Sequence, residues 1–578
     1  MQEAYRLIFI NIFSLTLLIT GVFLYRRVFP RKKISLWILL LLISLLPLIS
    51  IMRSGTYESG DLSYHIKNTI VFYKSLSEGN IIPRWSDFAC RGYGCPDFIF
   101  LYILPYYLTS FFHFIGFSFI ASVKVLIATS FIASAVTIYL WMKDEFGNFA
   151  GFIAGTFYLY MPYHLVDMHF RNAIGELVAF ALIPLCFLFT KKTLDTKEKR
   201  WIVLSAVAIT LLILSHIAAA LVTIPFLLIY GIVVMPKKKQ KNLFPMIKLL
   251  FALLLGILLA SFYWIPLALE TKYIFYNSHS NLSFSNLNDL LYSPWRYGLL
   301  FQGPSGEQSH IVGYIQLTTV CIAIYFLIKK KISNLYEKSI LLLFLISFFI
   351  TFFMILPIAK PIWYFIPLIK SFGSTYRLLI FNGLCTSVIA AIVIKNIPNK
   401  KIGFALCFFA IVLTILNWGN RRTIPQINDS YFIHQVEEVN SDKGSYALPM
   451  WVRSASMNQY TDFVKNYLEI VSGQAEIHEI FRNSTKHEYL IDVLIPSTLR
   501  ENTFYFPGWH LRVNNKEYPF VHDYPIQKGT MYFTLPKGLY DVEFTFKDIF
   551  IQKLANVVSL LTAVLLAVIL IVTRLRKK

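Results

Sequence analysis

The sequence predicts an all-α polytopic membrane protein with a small antiparallel β-domain just before its last helix. Of 578 residues, 56% are hydrophobic and only 15% are charged, and the mean hydropathy is +0.57. A soluble chain of this length would need far more charge to keep its domains in water. Apolar runs long enough to cross a bilayer recur along the chain, and alternating polar and apolar residues are concentrated near its C-terminus.

Spanning helices are predicted from the apolar runs. Taking roughly 20 apolar residues as the spanning length, and allowing shorter runs, we expect about thirteen of them. They are residues 5–25, 35–52, 119–141, 149–162, 177–190, 201–218, 219–235, 246–265, 311–328, 338–356, 376–395, 402–418 and 554–573. The first run has neither the basic start nor the small-residue cleavage site of a secretory signal, so we expect it to be retained as a helix.

The basic residues predict which loops face the cytoplasm. The formal charge is +22, and Lys and Arg collect in short loops between apolar runs, which is the positive-inside pattern. The loops predicted to be cytoplasmic are 26–33, 191–200, 237–241, 329–338, 395–401 and the tail 574–578. No compact basic domain stands apart from the apolar runs, so the sequence argues against nucleic-acid binding.

One apolar stretch, 98–116, is not counted as a span. Counting it would place the basic loop 191–200 outside, and Pro105 with its crowded aromatic neighbours suits a helix lying in the membrane interface. This choice puts 53–118 and 163–176 outside, and we call them the first loop and the second loop. The other outward segments are then 266–310, 357–375 and 419–553.

The domain organisation follows from this topology. Residues 1–418 are predicted to form the transmembrane domain, 419–553 an extracytoplasmic β-rich domain, and 554–578 the last helix with a basic cytoplasmic tail. Stretches such as "EYLIDVLIP" and "LYDVEFTFK" alternate with period two and are separated by Gly, Asn-Asn and Pro-Lys-Gly turn signals. In the first loop, Cys90 and Cys95 fit either a small disulfide, if the loop faces an oxidising compartment, or two free thiols.

The first loop contains a candidate helix that begins after Asp61. Apolar residues recur at helical spacing from Leu62 to Leu76, which predicts an amphipathic helix lying on the bilayer surface and ending at Gly79-Asn80. Asp61 suits two roles: an acid that satisfies the free N–H groups at the helix start, or a general base that takes a proton from an attacking hydroxyl. His65 lies one turn further on, either as a surface histidine or as a substrate ligand.

The second loop crowds ionisable residues into one short segment. His164, Asp167 and His169 fit either a metal site or a solvated, hydrogen-bonded loop, and their spacing matches no strong metal-ligand motif. Arg171 and Glu176 border the next apolar run, where ionisable groups tend to be paired or functional.

Another arginine, Arg377, lies near Lys370, where a later loop enters a predicted span. It suits two roles, gripping a phosphate with two parallel hydrogen bonds or snorkelling at the membrane interface. The P-loop, nucleophile-elbow, HExxH and dinucleotide-binding motifs do not occur in the sequence, so we expect neither a nucleotide nor a redox cofactor.

Taken in chain order, several segments resemble a known family. "DLSYH" (61–65), "GN" (79–80), "PRW" (83–85) and "GYGCP" (92–96) resemble the first outer loop of GT-C membrane glycosyltransferases. Within that superfamily the likeness is to bacterial YfhO-type and 6-pyruvoyl-tetrahydropterin synthase-related membrane proteins. "FRNAIGE" (170–176), "YRLL" (376–379), "FPGW" (506–509) and "LPKG" (535–538) resemble the later loops and the β-domain of that group.

The resemblance implies a GT-C-like fold and an activity. The activity is transfer of a sugar from a polyprenyl-phosphate-linked donor to a glycan, lipid or protein acceptor on the outer face of the cytoplasmic membrane, in cell-surface polysaccharide or glycoconjugate synthesis. The resemblance also implies that the acid of the first loop is the catalytic base and that basic residues hold the lipid phosphate. The chain departs from the pattern in one respect: many members carry adjacent acids, whereas Asp61 stands alone, with Glu58 three residues earlier.

The preferred hypothesis is an inverting glycosyl transfer in which Arg377, with Arg84 or Arg171, stabilises the phosphate of the leaving group. The predicted substrate-binding residues are His65, Arg84, Arg171, Glu176 and Arg377, with Asp61 as the catalytic base. No metal is required, because the leaving group is already activated. The alternatives are a lipid or oligosaccharide transporter, which should carry ionisable residues at mid-span, and a non-catalytic scaffold for envelope polymer assembly.

Overall fold

Helices account for most of the structure, as the apolar runs predict. The computed structural model describes residues 2–235, 243–275, 282–292, 309–365, 373–419, 422–437, 447–452, 464, 466–524 and 527–575. The helices of the first part of the chain are α1 (Gln2–Val28), α2 (Leu36–Leu45), α3 (Leu62–Ser77), α4 (Asp97–Phe100), α5 (Leu104–Phe114), α6 (Phe119–Phe146), α7 (Asn148–Leu159), α8 (Pro162–Val166), α9 (Ile174–Asp195), α10 (Arg200–Ser215) and α11 (Ile217–Val234). Those of the second part are α12 (Phe244–Leu259), α13 (Ser261–Glu270), α14 (Leu287–Leu291), α15 (Tyr314–Ile328), α16 (Leu335–Ile355), α17 (Lys360–Phe365), α18 (Leu379–Lys395), α19 (Lys400–Val412), α20 (Asp429–Glu437) and α21 (Phe550–Leu575).

Eight helical segments within the described residues are long and apolar enough to cross a membrane. They are Arg6–Val28, Phe119–Phe146, Ile174–Asp195, Ile217–Val234, Leu335–Ile355, Thr375–Lys395, Lys400–Asn417 and Phe550–Leu575. A ninth span results if α12 and α13, which are bent by 66° relative to each other, form one broken span. Each of the thirteen predicted spans falls on helical structure. At the predicted spans that are not among these eight or nine, the helices, such as α10 and α15, are shorter than the apolar runs alone suggest.

The helices differ in how deeply they are buried. The segment Thr375–Lys395 is 94% buried in its most apolar window and Ile174–Asp195 is 78% buried, whereas Arg6–Val28 and Phe550–Leu575 are only 17% and 22% buried. A helix that is apolar on all sides can be buried in a large core or can face lipid. Here apolar helices occur in both environments: α18 lies at the centre of the molecule, and α1 and α21 lie at its periphery.

The first loop packs against the helices of the chain. Its helix α3 packs against α5, α6 and α20, and Leu62, Ile66 and Phe72 are fully buried. Asn68, which the helical periodicity places on the polar face, is also buried. Burial of α3 therefore extends beyond the apolar face that its periodicity predicts, because other parts of the chain also cover part of its polar face. The helix α5 is about 16 Å long at 1.5 Å per residue, too short to span, in agreement with its exclusion from the predicted spans.

The sheet near the C-terminus has six antiparallel strands. They are β3 (Leu468–Arg482), β4 (Lys486–Phe504), β5 (Trp509–Val513), β6 (Lys516–Glu517), β7 (Thr530–Leu535) and β8 (Gly538–Phe546), in the order β3-β4-β8-β5-β6. The long strand β4 pairs with β8 along its first half and with β7 along its second half. A separate two-stranded pair joins β1 (Thr56–Tyr57) of the first loop to β2 (Thr423–Ile424). A mostly helical chain with a small antiparallel sheet before its last helix is thus confirmed.

The first loop and the β-domain share one hydrophobic core. Trp85, Tyr93 and the bonded pair Cys90–Cys95 lie among the buried side chains of the sheet. The ring of Tyr93 stacks on Phe504 with 4.8 Å between centroids, and the Phe504 N–H donates to the Tyr93 carbonyl oxygen at 2.7 Å. Of the two states that the sequence leaves open for the cysteine pair, the structure contains the disulfide.

Candidate active site

The first and second loops meet at Asp61. The Gly60 N–H donates to the Phe170 carbonyl oxygen at 2.7 Å, and the Asp61 N–H donates to the Arg171 carbonyl oxygen at 2.9 Å. Gly60 permits this approach, because a Cβ atom at that position would lie 3.2 Å from the Arg171 oxygen. Two backbone hydrogen bonds therefore fix the start of α3 against a segment more than a hundred residues away.

The carboxylate of Asp61 does not cap the helix that it precedes. Asp61 occupies the N-cap position of α3 but makes no side-chain capping hydrogen bond. The neighbouring Ser59 takes that role instead, since its Oγ accepts the Leu62 N–H at 3.1 Å. Helix capping, one of the two roles that the sequence left open for Asp61, is therefore not made by its side chain.

Beside Asp61, the second loop builds a buried ion-pair cluster around Arg171. The guanidinium of Arg171 donates to both carboxylate oxygens of Glu176, at 2.8 and 3.0 Å, and to Asp167. It also donates to the Tyr163 hydroxyl at 2.7 Å, and that hydroxyl donates to Glu176 at 2.6 Å. Because two acids already engage its terminal nitrogens, Arg171 has little capacity left for a further anion.

An irregular backbone brings the members of this cluster together. Residues 167–171 form a single turn of π-helix, which ends at Asn172 with the left-handed φ of 56°. The Tyr57 hydroxyl of β1 donates to the Asn172 side-chain oxygen at 2.6 Å and holds this turn against the first loop. Single turns of π-helix are rare and occur frequently at functional sites.

Arg377 approaches the cluster from another part of the chain. Its Nε lies 3.3 Å from Glu176 Oε1, and its side chain is 30% exposed. Glu176, Arg377 and His216 border Ala219, Ile380 and Phe381 around a narrow gap that has no room for a water molecule. The charged side chains therefore pack directly beside apolar ones.

His216 orients a proton toward the same carboxylate. It interrupts the helical run between α10 and α11 with extended backbone, and its Nδ1 accepts the Ala219 N–H at 3.1 Å. A neutral imidazole that accepts at Nδ1 carries its proton on Nε2, and this atom lies 3.8 Å from Glu176 Oε1. Glu176 is thus the acid on which Arg171, Arg377 and His216 converge.

The charges of this cluster act on Asp61. Burial raises the pKa of the Asp61 carboxyl above its ordinary value, while the nearby charges of Arg171 and Arg377 lower that pKa and Glu176 raises it. The net direction is upward, so desolvation outweighs the two arginines. Asp61 is therefore a stronger base than an ordinary aspartate and lies within electrostatic reach of both arginines.

His65 is part of the core and not of the surface. It is 2% exposed, with Nδ1 2.9 Å from the Tyr106 hydroxyl and Nε2 3.3 Å from the Tyr102 hydroxyl. Burial lowers the pKa of His65 to about 3, so its imidazole is neutral. The expectation of a surface histidine is wrong, and the predicted contact with substrate would have to be made by a neutral ring.

Arg84 is placed in a different part of the molecule. Its Nε donates to Asp548 at 2.9 Å and one terminal nitrogen donates to Asn556 at 3.0 Å, so it joins the first loop to the start of the last helix. It is 5% exposed and does not act on the pKa of Asp61. The structure therefore brings Asp61, Arg171, Glu176 and Arg377 together and leaves Arg84 out, because Arg84 is held by partners in the C-terminal part of the chain.

The two histidines of the second loop are also buried and separate. His164 stacks on Phe180 with 3.9 Å between centroids, whereas His169 Nδ1 lies 3.4 Å from the Ser50 hydroxyl. Both are at most 1% exposed, so the expectation of a solvated loop is wrong. Within the described ranges, no group of three or more His, Cys, Asp or Glu residues is placed to hold a metal ion.

Sequence reasoning singled out Asp167 and Arg171 but missed two tyrosines of the cluster, Tyr163 and Tyr376. Tyr163, Asp167 and Arg171 follow one another at four-residue spacing, a signal that predicts one shared helical face. Tyr376 offers no comparable local signal, although its ring lies 5.2 Å from the Arg171 guanidinium carbon. Its role depends on contact between segments that are two hundred residues apart.

A family model described as "6-pyruvoyl-tetrahydropterin synthase related domain; membrane protein" matches residues 100–424, more than half of the chain. The chain belongs to this family. The resemblance to that group is thus confirmed. The family description is that of a membrane protein, in agreement with the eight described helical segments that are long and apolar enough to cross a membrane. The matched range includes the second loop and Arg377, whereas Asp61 and the β-domain lie outside it.

Individual relatives are more distant. A protein of Lactococcus lactis subsp. cremoris (strain MG1363), described as uncharacterized, is 22% identical over 285 residues, which are 47% of this chain and 46% of that protein. The match therefore spans less than half of the relative's length. Among solved structures, arabinofuranosyltransferase AftD from Mycobacteria has a TM-score of 0.46 at 15% identity, over 68% of this chain and 27% of its own.

A second solved structure shows a similar level of likeness. The oligosaccharyltransferase AglB from Archaeoglobus fulgidus has a TM-score of 0.39 at 12% identity, over 72% of this chain and 60% of its own.

Proposed function

We propose that the protein is a membrane glycosyltransferase that moves a sugar from a polyprenyl-phosphate-linked donor to an acceptor hydroxyl. One observation carries the proposal: the Asp61 carboxylate serves no capping role and lies within the electrostatic field of Arg171 and Arg377. A half-buried acid beside a partly open arginine combines a proton acceptor with an anion site, as this reaction needs.

Asp61 is the proposed general base. It accepts the proton of the acceptor hydroxyl while the hydroxyl oxygen attacks the anomeric carbon from the face opposite the phosphate. The bond from the anomeric carbon to the phosphate oxygen breaks, its electron pair leaves with the polyprenyl phosphate, and the anomeric centre inverts. The raised pKa of Asp61 favours this role, because a more basic carboxylate takes a proton more readily at a pH where it is still ionised.

Arg377 is the proposed ligand of the leaving phosphate. Arg377 forms an ion pair through Nε with Glu176. Its two terminal nitrogens form no hydrogen bond with any residue that the structure describes. These nitrogens form the fork that binds two phosphate oxygens in parallel.

Arg171 and Glu176 are proposed to position Arg377 rather than to bind the donor. Arg171 is bonded to two acids and is almost fully buried. Glu176 accepts hydrogen bonds from Arg171 with both carboxylate oxygens, and one of these oxygens also forms the ion pair with Arg377 Nε. This chain of contacts fixes the orientation of the Arg377 fork before the donor arrives, which reduces the reorganisation needed in the transition state.

The test measures sugar transfer in membranes that hold the overproduced protein, with a panel of radiolabelled polyprenyl-phosphate hexoses and pentoses. We expect Asp61→Asn to lower the rate by a factor on the order of 10² to 10⁴, since it removes the general base. Glu58→Gln is the matched control, because Glu58 is an exposed acid of the same loop that pairs with Arg422 at 3.6 Å. Transfer by Asp61→Asn at the wild-type rate would exclude the proposed base.

The same membranes address metal dependence and the alternative function. We expect EDTA to leave the rate unchanged, because the phosphate leaving group needs no further activation. Movement of the labelled lipid across vesicle membranes without transfer to any acceptor would favour the transporter over the transferase.

A further inference from the structure

The helix that carries Asp61 at one end is bound to the β-domain at its other end. The carboxylate of Glu78, the C-cap residue of α3, accepts the Ser484 N–H at 2.9 Å and also accepts from the Ser484 hydroxyl. The Asn80 amide donates to the same hydroxyl at 3.1 Å. Ser484 is 1% exposed and lies in the turn that joins β3 to β4.

The receiving turn is ordered by its own contacts. The side-chain oxygen of Asn483 accepts the Thr485 N–H at 2.9 Å and the Lys486 N–H at 2.8 Å. Arg482, at the end of β3, bonds to the fully buried Glu501 of β4. A charged carboxylate on a backbone N–H of such a turn is a strong and directional contact.

A second, indirect contact leads from the last turn of α3 toward the β-domain. Lys74 forms an ion pair with Asp87 of the first loop at 2.8 Å and lies over the ring of Phe88 at 4.1 Å. The chain continues from there into the disulfide loop, where Tyr93 stacks on Phe504. Lys74 also lies 3.8 Å from Glu78, so the direct contact through Glu78 and the indirect one through the first loop are joined at the end of α3.

Between its ends, α3 can transmit a displacement but cannot easily absorb one. Its 16 residues span about 24 Å at 1.5 Å per residue. Leu62, Ile66 and Phe72 are fully buried, and closely packed interiors transmit strain instead of deforming. At the N-terminal end, Asp61 directly precedes Leu62, so a displacement of α3 moves the proposed base relative to the second loop, to which its N–H is bonded at the Arg171 carbonyl oxygen.

We propose that Glu78 is a positioning residue through which the β-domain sets the place of Asp61. In this arrangement the β-domain contributes to the transferase site, because the turn 483–485 fixes the C-terminal end of α3 and the proposed base, Asp61, lies at the N-terminal end. The role of Asp61 rests on the proposed function, whereas the mechanical connection along α3 does not depend on it.

The test compares Glu78→Ala, Glu78→Gln and the control Ser77→Ala in the full-length protein. Ser77 is the adjacent residue, and its exposed hydroxyl donates to the Tyr73 carbonyl oxygen of the same helix. Hydrogen exchange followed by mass spectrometry reports the amides of 62–68 and of 78–88 separately. We expect Glu78→Ala to speed exchange in both segments, Glu78→Gln to do so less because its side-chain oxygen still accepts the Ser484 N–H, and Ser77→Ala to change neither.

Sugar transfer provides the second measurement. We expect Glu78→Ala to lower kcat by a factor on the order of ten to a hundred, with KM for the labelled donor unchanged, because the base is displaced while Arg377 still holds the phosphate. Faster exchange confined to 78–88, with 62–68 unaffected, would overturn the inference whatever the activity. Coupled exchange in a protein that transfers no sugar in any assay would overturn the proposed function and leave the connection along α3 standing.

Discussion

Replacement of Arg377 separates the proposed phosphate ligand from the ion-pair cluster that supports it. In Arg377→Ala, Glu176 keeps both hydrogen bonds from Arg171, at 2.8 and 3.0 Å, so no buried acid is left without a cation. The Arg377 side chain is 30% exposed, so most of its surface is buried and its truncation also removes packing contacts. We therefore expect the variant to fold, with its free energy of unfolding lowered by about 1–3 kcal/mol.

The expected loss of activity follows from the hydrogen bonds that the terminal nitrogens of Arg377 can donate. Among the residues that the structure describes, the ion pair of Arg377 is made by Nε to Glu176, which leaves the terminal nitrogens for two parallel hydrogen bonds to the phosphate. Removal of a single donor from a preorganised anion site lowers kcat by a factor on the order of 10² to 10³. We expect Arg377→Ala to lower kcat at least this much. Arg377→Lys should recover only part of the loss, because an ammonium lacks the planar fork.

The assay follows transfer of labelled sugar by the purified protein, with thermal unfolding in detergent measured on the same samples. A rate within threefold of the wild type, in a variant that is folded, would show that Arg377 does not hold the leaving group. The proposed phosphate site would then have to be sought elsewhere.

Two further predictions concern the same cluster. Arg171→Met should lower the free energy of unfolding by about 3–5 kcal/mol, because the buried Asp167 loses its cation and Glu176 keeps only the contact with Arg377 Nε; unchanged unfolding in detergent would contradict this. The transfer rate should rise with pH through the pKa of Asp61, which lies above the ordinary aspartate value of about 3.9, because the base acts only when ionised. The pKa of His65 is lowered to about 3, so His65→Gln should leave the midpoint of this rise unchanged, and a shifted midpoint would show that His65 titrates with the activity.

Local patterns in the sequence predicted most of the architecture. Apolar runs are a property of neighbouring residues, so each predicted span falls on a helix, and period-two alternation placed the strands that lie in 468–546. The lengths of the helices were less accessible. The run between Arg200 and Val234 breaks at His216, and the run between Phe244 and Glu270 bends by 66°, because packing and side-chain bonds end a helix inside apolar sequence.

The composition of the candidate site was only partly predictable. The acid of the first loop and the ionisable pair Arg171 and Glu176 stood out because charges are rare in so apolar a chain. Arg84 stood out for the same reason, yet it bonds to Asp548 at the start of the last helix. Composition identifies a charged residue that needs a partner, but the partner is chosen by the fold.

By itself the sequence determined that the chain is helical and apolar, that a sheet precedes its last helix, and that Asp61 opens the helix of the first loop. Only the tertiary structure decided what Asp61 does there. Ser59 takes the capping bond, and the backbone of Arg171, more than a hundred residues away, holds Asp61 beside the ion-pair cluster. Helical spacing reports which residues share a face, whereas the closing of one loop onto another depends on packing across the whole chain.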